Sequence, residues 1–231
     1  KSIAYWQIDA RKIRNFLMIN NTDSIYSFTV PVEYPKVGED PSACKIGVVN
    51  IATAKTKWMN VPGSAVQNYI PRMEWSNKNE IIIQQLDRKQ QVSKIMLLNA
   101  VTGLASLINE EKDAAWIDIK SRWNNDDPTG WEWINEGKDF LWVSEKDGWR
   151  HIYSINLATK KETLLTSGNY DMIGFGAIDQ ANGYVYFTAS PNNALQQYLY
   201  RVSLKGDGKA ELISPADLKG THSYQISPTG V

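Results

Sequence analysis

Four copies of one short pattern decide the fold of this chain, and the clearest of them reads Ile152-Tyr153-Ser154-Ile155-Asn156-Leu157. Each copy has an apolar residue, two variable residues, an apolar residue, Asn or Ser, and a further apolar residue. The other copies are Ile46-Gly47-Val48-Val49-Asn50-Ile51, Ile95-Met96-Leu97-Leu98-Asn99-Ala100 and Leu199-Tyr200-Arg201-Val202-Ser203-Leu204. Successive copies are roughly 50 residues apart, a period typical of propeller blades. The pattern therefore predicts an array of similar units.

A second pattern lies between these copies and consists of an apolar residue followed by turn formers. Its copies are Trp75-Ser76-Asn77-Lys78-Asn79, Trp133-Ile134-Asn135-Glu136-Gly137, Ile178-Asp179-Gln180-Ala181-Asn182-Gly183 and Ile226-Ser227-Pro228-Thr229-Gly230. The first three lead into the β-rich runs Ile81-Ile82-Ile83, Phe140-Leu141-Trp142-Val143 and Tyr184-Val185-Tyr186-Phe187-Thr188. Tight turns are predicted at Asp147-Gly148, Lys160-Lys161 and Gly206-Asp207-Gly208, because Gly and Asp accept positive φ.

These patterns predict an all-β chain, a partial β-propeller of about four to five four-stranded blades that forms one fragment over residues 1–231. The chain opens inside a predicted strand, Ile3–Ile8, and stops at Val231, so we expect a piece of a larger propeller. Residues 14–24 are predicted to form a strand followed by a turn. The segment Tyr26–Asp40 carries two prolines, which cannot donate to a central sheet ladder, and is predicted to be an irregular connection.

Composition narrows the classes of function. Lys and Arg together number 25, as do Asp and Glu, and this zero net charge argues against a nucleic-acid surface. No apolar run is long enough to span a membrane. The single cysteine, Cys44, excludes an internal disulfide and a multi-cysteine metal site, and it is predicted to be a small packed residue. His151 and His222 are too few for a histidine-rich metal site, so neither a metal nor another cofactor is predicted.

Four particular stretches resemble the N-terminal propeller of the dipeptidyl peptidase IV family of serine peptidases. They are Tyr5-Trp6-Gln7-Ile8-Asp9, Tyr34-Pro35-Lys36-Val37-Gly38, Arg72-Met73-Glu74-Trp75 and Asp147-Gly148-Trp149-Arg150-His151-Ile152-Tyr153, of which the second and fourth are the most specific. The resemblance implies an eight-bladed propeller that caps a C-terminal α/β-hydrolase domain and holds a peptide substrate between the two. Members release short N-terminal peptides, commonly after Pro or Ala, through a Ser-His-Asp triad.

No catalytic residue is predicted in this chain. A Gly-x-Ser-x-Gly elbow is absent from the sequence, and the resemblance places the elbow and its triad partners in the downstream hydrolase domain. His222 has no neighbouring Ser nucleophile or orienting acid. Arg150 and His151 are the candidates for the substrate cavity, since a strand that follows a glycine turn begins close to one propeller surface; the alternative is an Arg paired with a nearby carboxylate.

Three further groups have competing interpretations. Glu110-Glu111 look like the pair of adjacent glutamates that bind the substrate's amino group in the family. The resemblance places that pair in a helical insertion upstream of the Tyr-Trp-Gln-Ile-Asp stretch, so a solvated loop is predicted for Glu110-Glu111. Asp126-Asp127 beside Trp123 and Trp131, with Glu132, have the residue types of a carbohydrate or cation site. The competing interpretation, which we favour, is an interblade loop. Most of the clustered tryptophans are predicted to pack between sheets: Trp116, Trp123, Trp131, Trp133, Trp142 and Trp149.

Two functional hypotheses follow. The first is the non-catalytic propeller of a periplasmic or secreted bacterial serine exopeptidase, which gates access and helps form the cavity for a peptide substrate. Its partners would be its own hydrolase domain and, in the full-length protein, a second copy in a homodimer. The second is a stand-alone propeller scaffold that binds protein or glycan. Low cysteine content favours a bacterial periplasmic protein over a disulfide-rich animal ectodomain.

Overall fold

The computed structural model describes residues 1–119, 131–206, 209–215 and 217–227, and these residues form antiparallel sheets with almost no helix. The strands are β1 (Ser2–Asp9), β2 (Asn15–Asn20), β3 (Phe28–Glu33), β4 (Ala43–Asn50), β5 (Thr56–Trp58), β6 (Asn68–Asn77), β7 (Glu80–Asp87), β8 (Val92–Asn99), β9 (Ala105–Lys112), β10 (Glu132–Ile134), β11 (Asp139–Ser144), β12 (His151–Asn156), β13 (Glu162–Leu164), β14 (Met172–Asp179), β15 (Tyr184–Ala189), β16 (Tyr198–Ser203) and β17 (Glu211–Leu212). One 3-10 turn occupies Asn135–Gly137. The all-β prediction is confirmed.

The chain divides into two compact units, Lys1–Glu110 and Glu111–Val231. The first unit contains the sheets β1-β4-β5 and β2-β3 together with the sheet β6-β7-β8-β9. Its core is built from buried aliphatic side chains on the central strands, namely Ile46, Val48, Met59, Ile81, Ile83, Met96 and Leu98. These side chains are at most 7% exposed, and the burial of their apolar surface stabilises the unit.

The second unit contains two four-stranded sheets, β10-β11-β12-β13 and β14-β15-β16-β17. Its core joins side chains of both sheets: Ile134, Leu141, Val143, Ile152, Leu165, Met172, Val185, Phe187, Ala189, Tyr200 and Val202. Within this unit, Trp131 stacks on the buried Trp142 with ring centroids 5.2 Å apart, and Trp133 packs edge-on against Phe140. Trp116 and Trp149 are instead 58% and 38% exposed, so the packing prediction was wrong for these two tryptophans.

The four copies of the first pattern occupy equivalent strands, because β4, β8, β12 and β16 are each the next-to-last strand of a sheet. The polar residue ends its strand and caps the following turn. Asn156 Oδ1 accepts hydrogen bonds from the amides of Ala158 and Thr159 at 3.1 and 2.8 Å, and Asn50 and Asn99 accept the equivalent pairs. The spacing of the pattern is therefore explained by local hydrogen-bond chemistry.

The residue four positions after each Asn has a positive φ. Ala54 has φ 54°, Gly103 has φ 81° and Lys160 has φ 60°, and each donates its amide to the carbonyl of the Asn. This conformation favours glycine, yet only one of the three copies has a glycine at this position. The predicted tight turn at Lys160 is confirmed, as is the one at Asp147-Gly148, where Gly148 has φ 94°.

The structure corrects the prediction for Tyr26–Asp40. Phe28–Glu33 is a strand, paired residue by residue with β2, and Pro31 lies opposite Leu17. Both strands of this two-stranded sheet are edge strands, so the missing amide of Pro31 interrupts no central ladder. The predicted strand and turn over residues 14–24 are confirmed by β2 and the bends that follow it.

Some predictions fall outside the described residues. These are Trp123, Asp126-Asp127, Asp207-Gly208 and the end of the chain from Pro228 to Val231. Among the residues that are described, no helix has the length and apolar character needed to cross a membrane.

Candidate functional site

The turn between β11 and β12 carries the predicted cavity residues. Ser144 and His151 pair at the ends of the two strands, and the intervening residues 145–150 form the connection. Gly148 donates its amide to the carbonyl of Glu145 at 2.9 Å, and its φ of 94° explains why a glycine is needed there. Of the two residues after this glycine, Trp149 is 38% exposed and Arg150 is partly buried.

Asp147 holds the turn from inside. Its Oδ1 accepts the amide of Trp149 at 3.2 Å, and its Oδ2 accepts a hydrogen bond from His151 Nδ1 at 2.8 Å. Burial on its own would raise the pKa of Asp147, but the bonds from His151 and the Trp149 amide lower it below the ordinary value. The carboxylate therefore stays ionised and keeps both bonds at neutral pH.

His151 lies inside the protein with 1% of its surface exposed. Its ring packs edge-on against Tyr170, with centroids 5.9 Å apart, while its Nδ1 donates to Asp147. Since Nδ1 carries the donated proton, Nε2 is an acceptor when the ring is neutral. His151 therefore stabilises the turn through Asp147. Its contact with substrate stays a prediction.

Arg150 is bound through both its backbone and its side chain to the start of β14. Its amide donates to Asp171 Oδ1 at 2.7 Å, and its carbonyl accepts the amide of Met172 at 2.8 Å. The guanidinium Nη1 donates to the carbonyl of Ile173 at 3.3 Å. The sequence allows either a cavity contact or a carboxylate partner for Arg150, and its backbone amide binds the Asp171 carboxylate. The contact of Arg150 with substrate stays a prediction.

A buried polar network adjoins this turn. Trp142 Nε1 donates to Glu111 Oε1 at 3.2 Å, and Ser144 is a further hydrogen-bond partner of that carboxylate. Burial raises the pKa of Glu111, although the bond with Ser144, the charge of Lys146 and the bond with Trp142 all oppose that shift. Lys146 also forms an ion pair with Glu162 and lies 4.3 Å from the centre of the Tyr153 ring.

The prediction of a solvated loop at Glu110-Glu111 was wrong. Both residues belong to β9, where successive side chains point to opposite faces of the sheet. Glu110 is the solvated member and forms an ion pair with Lys94 at 3.5 Å, whereas Glu111 is 8% exposed. Two adjacent carboxylates on opposite faces do not converge on one ammonium group.

The remaining sequence candidates have no catalytic geometry around them. Cys44 is half-buried beside an open pocket of about 440 Å³, and burial raises the pKa of its thiol, which disfavours the reactive thiolate. His222 lies between the rings of Tyr198 and Tyr224 and contacts the Leu218 carbonyl at 3.3 Å. In the described part of the chain, no three His, Cys, Asp or Glu side chains are grouped to hold a metal ion.

The β2-β3 hairpin is a second surface feature that the sequence analysis missed. It pairs with no other strand in the described structure. Many apolar side chains of the hairpin and its flanking residues are more than a third exposed, namely Phe16, Leu17, Met18, Ile19, Ile25, Tyr26, Phe28, Val30, Tyr34 and Val37. The base of the hairpin is closed by Glu39, which accepts hydrogen bonds from Arg14 and from the amide of Lys36. An exposed apolar patch of this kind is typical of an interaction surface.

The sequence of this chain matches a family model and several known proteins. Residues 1–231 match the family model described as the dipeptidyl peptidase IV (DPP IV) N-terminal region. Inactive dipeptidyl peptidase 10 of Mus musculus is 26% identical over 242 residues, which cover 95% of this chain and 30% of that protein. Probable dipeptidyl-aminopeptidase B of Talaromyces marneffei is 23% identical over 184 residues, covering 76% of this chain and 20% of that protein.

A solved structure agrees with the sequence matches. The crystal structure of Porphyromonas gingivalis dipeptidyl peptidase 4 superposes with a TM-score of 0.82 at 26% identity, over 99% of this chain and 31% of that one. The family resemblance and the partial-propeller fold class are thereby confirmed. This chain spans only about a third or less of the length of the relatives it matches.

Proposed function

Since this chain belongs to the family of the dipeptidyl peptidase IV N-terminal region, we propose that it is the non-catalytic propeller part of a serine exopeptidase that releases N-terminal dipeptides or tripeptides. The observation that carries the proposal is the family match over the whole of residues 1–231. The absence of a Gly-x-Ser-x-Gly elbow supports a non-catalytic role, with nucleophile, base and orienting acid in a C-terminal α/β-hydrolase domain.

In this proposal the chain gates access to a cavity and helps to bind peptides, which the full-length enzyme cleaves after Pro or Ala. We assign the contact with the substrate to Arg150. Its guanidinium offers donors to peptide carbonyl or carboxylate oxygens, and its backbone is fixed by the contacts with Asp171 and Met172. We further propose a periplasmic or secreted bacterial enzyme, on the ground of the single cysteine of this chain.

The experiment that tests this proposal is hydrolysis of a Gly-Pro chromogenic amide by the full-length protein, with and without a serine-directed inhibitor. We expect hydrolysis that the inhibitor abolishes, and no hydrolysis by residues 1–231 alone. Hydrolysis by the isolated chain would contradict the non-catalytic role. Fractionation of the source cells, followed by this assay on each fraction, tests the periplasmic or secreted location.

A scaffold without peptidase activity is the second candidate. One specific observation favours it. A mammalian relative whose name states that it is inactive matches this chain at 26% identity, over 95% of the chain's length. A full-length protein that hydrolyses neither dipeptide nor tripeptide amides would support this candidate, and its partner would then be a protein or a glycan.

We also propose that the full-length protein is a homodimer and that the β2-β3 hairpin takes part in the contact. Both strands of the hairpin have an unpaired edge, and two such edges can pair across a two-fold axis. Ile19 is 73% exposed, so Ile19→Asp should leave folding intact while making that contact unfavourable. Light scattering should show a dimer for the wild type and a monomer for the variant, whereas Leu195→Asp, at an 88% exposed site elsewhere, should leave the dimer unchanged.

A further inference from the structure

We propose that Asp171 and Asp147 are positioning residues for substrate binding, because their carboxylates fix the turn that presents Arg150 and Trp149. This inference rests on the proposed function and deepens it, since it assigns the orientation of Arg150 to Asp171 and that of Trp149 to Asp147. Both carboxylates are bonded to backbone amides of this turn, Asp147 to Trp149 and Asp171 to Arg150.

Asp171 acts on Arg150 from the position just before β14. Its Oδ1 accepts the Arg150 amide at 2.7 Å, a short charge-assisted bond between residues that are 21 positions apart in the sequence. The two residues that follow Asp171 complete the attachment, because the Met172 amide binds the Arg150 carbonyl and the Ile173 carbonyl accepts from the guanidinium. Loss of the Asp171 carboxylate would remove the bond that holds the amide side of Arg150 and would widen the range of directions its side chain samples.

Asp147 acts on Trp149 from within the turn. Its Oδ1 accepts the Trp149 amide, and its Oδ2 is held by the buried His151, whose ring is fixed in turn against Tyr170. Trp149 remains 38% exposed, so this support orients an aromatic ring that still reaches solvent. The two carboxylates therefore fix two successive residues, Asp147 from within the turn and Asp171 from the residue before β14.

Other aspartates show what a purely local role looks like. Asp87 accepts the amides of Gln91 and Val92 within its own turn, at 2.7 and 2.9 Å. Asp179 accepts the amide of Asn182 at 3.0 Å, also within its own turn. Asp179 lies in the same unit as Arg150 and shapes a turn without contacting Arg150, so it serves as the control.

The test uses the full-length protein and a hexapeptide that begins with Gly-Pro, whose cleavage is followed by mass spectrometry. Asp171→Ala should raise KM by about threefold to tenfold, the range expected for one misplaced charged contact, while kcat changes less than about twofold. Asp171→Asn keeps an acceptor oxygen and should restore most of the affinity. In an Arg150→Ala background, Asp171→Ala should have no further effect on KM, because the group it orients is missing. Asp179→Ala should lower the unfolding midpoint without raising KM.

Native-state hydrogen exchange on the same variants keeps this inference separate from the proposed function. Asp171→Ala should accelerate exchange of the Arg150 amide, Asp147→Ala should accelerate that of Trp149, and Asp179→Ala should affect neither. If the wild type cleaves no peptide, the proposed function fails, and unchanged exchange in the aspartate variants would also overturn the positioning role. An active enzyme in which Asp171→Ala raises KM equally with and without Arg150 would overturn the inference alone.

Discussion

The two ends of β12 carry turns of opposite kinds. At its C-terminal end, Asn156 caps the amides of Ala158 and Thr159, and the same arrangement recurs at Asn50 and Asn99. At its N-terminal end, the turn of Asp147 exposes Trp149 and is bonded through Arg150 to Asp171 on another sheet. The repeated polar residues thus specify the strand array. The residues of the turn before β12, which do not recur in the other sheets, build the surface that we assign to the substrate.

The largest expected effect comes from Asp147→Ala, which removes two hydrogen bonds and leaves the buried His151 without its partner. We expect a loss of about 2–3 kcal/mol in the free energy of unfolding, since a charged hydrogen-bond partner of a buried group is removed. Urea denaturation of the full-length protein, monitored at this unit, measures the loss. Asp147→Asn keeps the acceptor for Trp149 and should lose less; equal losses in the two variants would contradict this explanation.

Asn156→Ala breaks the turn at the opposite end of β12. It removes the acceptor for two backbone amides and should cost about 1–2 kcal/mol in the same measurement. Asn156→Ser serves as its control, because Ser203 occupies the equivalent position of β16 and its hydroxyl accepts the Lys205 amide at 3.1 Å. A serine variant as unstable as the alanine variant would show that the cap is not what the pattern encodes.

A substitution at the positive-φ position of the repeated turn should change the free energy of unfolding by a smaller amount and in the opposite direction, towards greater stability. Lys160→Gly should stabilise the protein by up to about 1 kcal/mol, because glycine adopts a φ of 60° without steric strain. Gly103→Ala is the reverse change, and its new Cβ would lie 2.8 Å from the Trp58 carbonyl oxygen, so it should destabilise. Thermal unfolding of both variants compares the two turns directly, and equal signs would contradict the assignment.

The smallest expected effect is a change in pH dependence at Glu111. Because burial raises the pKa of this carboxyl in the folded state, the folded protein binds its proton more tightly than the unfolded chain does. Stability from this group is therefore present below the ordinary Glu pKa and is lost as pH rises through the raised value. Glu111→Gln keeps acceptors for Trp142 and Ser144 and should flatten this part of the stability profile, in urea melts from acidic to neutral pH. Asp147 has the opposite sign, because its pKa is lowered and its contribution is lost on acidification.

The sequence predicted the strand array well because its signals are local. The Asn caps bind amides two and three residues away, so the four copies located β4, β8, β12 and β16 without any knowledge of tertiary contacts. The β2-β3 hairpin was missed because proline excludes only a central strand, and the sequence did not show that Pro31 lies on an edge.

The candidate site could be predicted only in part. The Asp-Gly-Trp-Arg-His stretch indicated the turn and its two presented residues. Asp171 lies 21 residues from Arg150 and Trp142 lies 31 residues from Glu111, and no local spacing encodes such pairings. For the same reason, the burial of Glu111 was not foreseen: its partners come from a strand distant in the sequence.

We propose that both turns flanking β12 stabilise the fold and that only the turn at its N-terminal end also contacts the substrate. The most direct test is the KM of the full-length protein for a Gly-Pro hexapeptide, measured for Arg150→Ala and Asn156→Ala under conditions where both variants are folded. We predict that KM rises by about tenfold for Arg150→Ala and is unchanged for Asn156→Ala, as expected when only one variant loses a charged contact with the ligand. An unchanged KM in the arginine variant, or an equal rise in both variants, would contradict the account.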